Sequence, residues 1–89
     1  MKRTIKEIDI YDRPRERLIR EGSDSLTDEE LLAIIISTGT KDKNVIELAR
    51  EILETFSYEE LSEIEVEELS QIKGIKSAKA STIVASLKF

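Results

Sequence analysis

The stretch Leu69-Ser-Gln-Ile-Lys-Gly-Ile-Lys-Ser-Ala-Lys-Ala-Ser-Thr-Ile83 leaves this chain few ways to fold. Leu69 and Ile72 sit three apart, and Ala80, Ile83, Val84 and Leu87 keep the i, i+3, i+4, i+7 rhythm of one helical face. Two helices therefore meet at Gly74. A hairpin this tight needs a residue that tolerates positive φ and lets backbone approach backbone, which glycine supplies. Ser77 is placed to cap the second helix. Amides from Gly74 to Ala78 are then short of internal partners, and the positive end of the second helix points the same way. Such a place suits a phosphate.

The pattern Leu-x-x-Ile-x-Gly-Ile-x-x-x-x-Ala-x-x-Ile resembles the helix-hairpin-helix motif of proteins that hold DNA backbones without reading sequence. The motif usually carries a second glycine two residues after the first, where this chain has Lys76. The resemblance implies a DNA-contacting set of Lys73, Gly74, Ile75, Lys76, Ser77, Ala78 and Lys79. It further implies a monovalent cation held by the backbone carbonyls of Ser70, Ile72 and Ile75. No other cofactor is expected.

Charge bears on that expectation because the 89 residues carry a net −5. Residues 1–22 and 66–89 are each +2, whereas 23–40 are −4 and 41–65 are −5. The hairpin segment is thus locally basic on an acidic chain, so it should hold phosphate weakly and in a salt-sensitive way. A domain of this size buries only about 60 to 65% of its unfolded surface, and its core is thin. No apolar run approaches the roughly 20 residues of a membrane helix, and cysteine is absent. Met1-Lys2-Arg3 leads into no apolar signal region, which fits a cytoplasmic protein.

The remaining pattern is helical. Residues 1–12 alternate without a clear period and read as an extended arm ahead of a single helical domain over 13–89, whose hairpin motif spans 66–87. Pro14 and Gly22 frame a first helix over 14–21, with Leu18 and Ile19 facing inward. Arg13, Arg15, Arg17 and Arg20 crowd it and read as a solvated face, with phosphate contacts as the alternative. Thr27 and Glu30 form a capping box for a buried helix over 28–37, which ends where Gly39 suits a left-handed cap. Asn44 and Glu47 repeat the box before the apolar stripe Val45, Leu48, Ala49, Ile52, Leu53 and Phe56, read as the longest helix. Ser57 and Glu60 open a short connector. Helix, glycine turn, helix, connector, helix, glycine hairpin, helix describes two helix-hairpin-helix-like units packed as a pair in an all-α bundle. In the first turn, Thr38, Gly39, Thr40, Lys41 and Lys43 read either as a plain polar loop or as a second phosphate contact.

Together, Asp-Arg-Pro-Arg-Glu-Arg-Leu (12–18), Leu-Thr-Asp-Glu-Glu-Leu-Leu-Ala-Ile (26–34), Ser-Thr-Gly-Thr (37–40), Val-Ile-Glu-Leu-Ala (45–49) and the Lys-Gly-Ile hairpin resemble the N-terminal domain of the RadC family of bacterial proteins. That family is labelled DNA repair. The resemblance implies a helix-hairpin-helix domain followed by a metallopeptidase-like domain of the JAB type, whose metal sits on histidines and an aspartate. This chain has no histidine, so catalysis is not expected of it. The carboxylate pairs Glu29/Glu30, Glu59/Glu60 and Glu67/Glu68 lie in first helical turns, where capping and the helix dipole account for them. The expected function is a sequence-nonspecific DNA-binding module. The alternative is a protein-interaction or positioning domain that keeps the fold, serves an adjacent metallopeptidase-like domain and has lost the ligand. Neither reading involves a membrane.

Overall fold

A computed structural model of the chain describes residues 13–89. The extended arm expected over 1–12 lies outside the described residues. The described residues form helices and loops in the order α1 (Pro14–Glu21), a 3-10 turn (Ser23–Ser25), α2 (Asp28–Ile36), α3 (Val45–Thr55), α4 (Tyr58–Glu63), α5 (Val66–Leu69) and α6 (Ser77–Lys88). The fold is all-α, as the periodicity predicts.

Local chemistry sets most helix starts. In α2, α3 and α4 the side chains of Thr27, Asn44 and Ser57 accept the amides of Glu30, Glu47 and Glu60. The three glutamates accept the cap-residue amides in return at 2.8–2.9 Å. Each reciprocal pair satisfies two of the donors a helix start leaves open. A half-box also precedes α5, where Glu68 accepts the amide of Glu65 at 3.2 Å.

Packing follows the apolar stripes. Helix α2 lies against α3 and α6, α5 pairs with α6, and α4 closes on α6. Leu48, Ile52, Ile64, Leu69, Ile75 and Ile83 are fully buried where these helices meet, and no polar side chain of the described residues is buried with them. The α2–loop–α3 and α5–hairpin–α6 units thus share one core, with α4 as the connector between them.

Three local expectations change. Ile19 points outward, 76% exposed, because Pro14, Arg17 and Leu18 share the face turned to α2 and Ile19 lies a further 100° round the helix. The longest described helix is α6, with 12 residues against 11 in α3, since the stripe of α3 stops at Phe56, whose backbone is already extended. Most informative is the exit from α2. Helix α2 stops at Ile36, and the positive-φ residue is Ser37 (φ 67°, ψ −40°) rather than Gly39. The amide of Thr38 donates to Ile36 O at 2.9 Å, which makes Ser37 the centre of a positive-φ γ-turn, a rare and strained geometry. Gly39 is needed for another reason: a Cβ there would lie 2.4 Å from Lys43 O.

Candidate nucleic-acid interface

Gly74 adopts φ 95°, as the hairpin requires, and it is also a contact point. A Cβ on it would fall 2.6 Å from the Thr40 methyl and 3.6 Å from Leu48. The hairpin therefore seats directly on the loop over 37–44, 34 residues earlier in the chain. Two further links join them. Lys79 Nζ donates to Thr38 Oγ1 at 2.5 Å, and Lys73 Nζ lies 3.9 Å from the Asp42 carboxylate. Nothing in the sequence signalled Thr40, Thr38 or Asp42 as partners of the hairpin, because the pairing exists only once α2, α3 and α6 have packed.

The hairpin residues divide into core and surface. Ile75 is 1% exposed and donates its amide to Ile72 O at 3.0 Å, so of the expected contact set it is the member turned inward. Of the three carbonyls to which the resemblance assigns a cation, Ser70, Ile72 and Ile75, that of Ile72 already accepts the Ile75 amide. Lys76, Ser77 and Ala78 are exposed, whereas Lys79 is half-buried by its reach to Thr38.

The start of α6 differs from the expectation in one respect. Lys76 (φ −93°, ψ 178°), not Ser77, occupies the capping position, and Ser77 is the first helical residue. Lysine has no acceptor to offer, so the start of α6 has no side-chain cap. The first amide bonded into the helix is that of Ala80, to Lys76 O at 2.9 Å. The amides of Gly74, Lys76, Ser77, Ala78 and Lys79 reach no acceptor among the described residues. The first turn of α6 also carries no acidic residue, in contrast to α2, α3, α4 and α5. Its positive end is therefore left without a neutralising carboxylate of its own, and the lysines at 73, 76 and 79 add to it.

The 37–44 loop is largely self-satisfied. Thr40 donates its amide to Lys43 O at 2.7 Å and accepts the amides of Asp42 and Lys43 on Oγ1 at 3.3 and 3.1 Å. Lys43 pairs with Glu51. That leaves Lys41, exposed and unpaired among the described residues, with Thr38 and Gly39 at the surface beside the hairpin. The α1 arginines are engaged locally: Arg15 with Glu16 at 3.2 Å, Arg20 with Glu21 at 2.6 Å, and Arg17 with Glu30 across to α2. Glu29 and Glu30 likewise serve structure, Glu29 pairing with Arg50 at 3.2 Å. Among the described residues no group of His, Cys, Asp or Glu is arranged to hold a metal, and no helix is long and apolar enough to cross a membrane.

An all-helical pair of units meeting at a glycine hairpin, with open amides at the start of its last helix, is the class of protein these observations define. Residues 5–81 match the family described as UPF0758 N-terminal. The chain belongs to this family, the one the RadC-type N-terminal motifs pointed to. Among its relatives, a UPF0758 protein of Alkaliphilus oremlandii is 51% identical over 87 residues, covering 96% of this chain and 38% of that protein. One from Pelodictyon phaeoclathratiforme is 49% identical over 81 residues, covering 91% and 36%. One from Methanosarcina acetivorans is 46% identical over 81 residues, covering 91% and 35%. The chain thus spans under two-fifths of the length of these relatives. No solved structure matches it.

Proposed function

We propose that this region is a non-catalytic module that binds the DNA backbone without sequence preference, acting in the cytoplasm as part of a repair-associated protein. One observation carries the reading: the exposed, uncapped amides of Lys76, Ser77 and Ala78 at the start of α6. They sit among lysines and away from any carboxylate of their own turn. A phosphate oxygen there would accept from two or three N–H groups at once while facing the positive end of the helix. Backbone donors read no base, so the binding would position the protein and not select a sequence. Lys41, across the junction with the 37–44 loop, would reach a neighbouring phosphate.

Few phosphates are neutralised in this arrangement, about two to four, so affinity should be in the high micromolar range or weaker at physiological salt. The logarithm of the binding constant should fall with that of salt by about 0.9 per phosphate contacted. The test is fluorescence anisotropy of a labelled mixed-sequence duplex at two salt concentrations, with Ser77→Pro as the decisive variant. Proline suits a first helical position and removes one N–H. Lys76 already has the extended backbone that a following proline demands. Retained melting temperature with binding weakened about threefold or more supports the reading; unchanged binding, or none at low salt, discards it.

The competing reading, a positioning domain for an adjacent metallopeptidase-like domain, draws on the net charge of −5 and on Asp42 beside Lys73. Amide shift mapping separates the two. DNA should perturb residues 72–80, and a protein partner another face.

A further inference from the structure

The end of the molecule remote from the hairpin carries an apolar groove of about 290 Å³ between α2, α3, α4 and the last turn of α6. Leu31, Ile35, Leu53, Leu61 and Leu87 line it, with Tyr58 at its rim. Tyr58 is held by a hydrogen bond to the Asp28 carboxylate yet stays 69% exposed, and Leu87 is 39% exposed. A small domain gains nothing from leaving such surface wet, and apolar hollows with a few polar groups at the rim are where partners seat.

We propose that this groove receives the part of the family's longer proteins that follows the present region. Two observations select that occupant. The match is to the family's N-terminal region, and the Alkaliphilus relative aligns over only 38% of its length, so the larger part of that protein lies beyond the match. And the backbone leaves α6 at the groove itself: Leu87 lines it, and the Lys88 ammonium is anchored to Ser62 O at 2.8 Å, Ser62 being another lining residue. Whatever continues from α6 starts at the mouth of the groove. A tethered segment meets it at an effective concentration near millimolar, so even a modest apolar contact would be populated. Helix α6, about 18 Å long at 1.5 Å per residue, separates the groove from the amides at residues 76–78. Occupation of one end therefore leaves the other open, and the inference does not rest on the phosphate reading.

The experiment compares amide spectra of the 89-residue chain with those of the same chain continued by the corresponding downstream region of the Alkaliphilus oremlandii protein. The continued chain should shift Leu31, Ile35, Leu53 and Leu61 and leave Lys76 to Ala78 in place. Leu87→Asp, and independently Tyr58→Ser, change exposed side chains, and a melt of each variant in the short chain checks that the fold is kept. Each should lower the ratio of closed to open forms about tenfold, the scale of one buried apolar side chain. The groove amides should then return toward their short-chain positions. An absence of groove shifts in the continued chain, or shifts confined to another face, overturns the proposal. So do groove shifts that grow with the concentration of the short chain alone, which would assign the groove to a second copy.

Discussion

At the residue scale, two positive-φ positions on the same junction have opposite consequences. Gly74 is both bent to φ 95° and pressed on Thr40, so Gly74→Ala adds backbone strain to a collision and should cost about 1–3 kcal/mol. In a Thr40→Ser background the methyl is gone and part of that cost should disappear. A thermal-melt double-mutant cycle measures the coupling, and an additive result would show that Thr40 is not the obstacle. Ser37 holds a γ-turn that serine does not favour. Ser37→Gly should therefore stabilise the chain, by about 1 kcal/mol, and a lowered denaturation midpoint would contradict that account. Strain kept next to the hairpin fits a loop whose shape matters more than its stability.

At the scale of elements, the contrast lies between helices that cap themselves and one that does not. The capping boxes of α2, α3 and α4 close their N-termini; α6 begins at a lysine with nothing to accept with. Lys76→Asp should therefore act in two directions, raising stability by about 1 kcal/mol as a cap and abolishing the proposed DNA binding because the carboxylate occupies the amides. Lys76→Ala, run beside it in denaturation and anisotropy, isolates the loss of charge. Destabilisation by the aspartate would mean the amides are not free. The contact between α1 and α2 gives a pH prediction. Burial alone would raise the Glu30 carboxyl, but the Thr27 amide and the Arg17 guanidinium outweigh it and hold it below its usual 4.5. A carboxyl lowered on folding contributes stability above its unfolded value, lost as pH falls through the folded one. Stability should thus drop below about pH 4.5, and Glu30→Gln should flatten that part of the curve.

At the scale of the molecule, a thin core joins two ends with different chemistry: lysines and open amides where the two loops meet, an apolar groove where α6 finishes. Leu48 belongs to the core and also lies close beneath Gly74. Leu48→Ala should cost about 3–4 kcal/mol, a large share of the total stability of so small a domain, readable as a lowered urea midpoint. By itself the sequence determined what short-range chemistry controls. The starts of α2, α3 and α4, the frame of α1, the bend at Gly74 and the family were all legible, because caps, turns and 3.6-residue stripes act over a few neighbours. Tertiary structure alone decided which face of α1 turns inward, why Gly39 must be glycine, that Lys76 and not Ser77 precedes α6, and that Thr40 and Thr38 meet the hairpin. The inward face of α1 and the meeting of Thr38 and Thr40 with the hairpin depend on contacts between residues distant in the chain, and the Gly39 and Lys76 outcomes on the path of the backbone through the two turns; neither leaves a periodic trace.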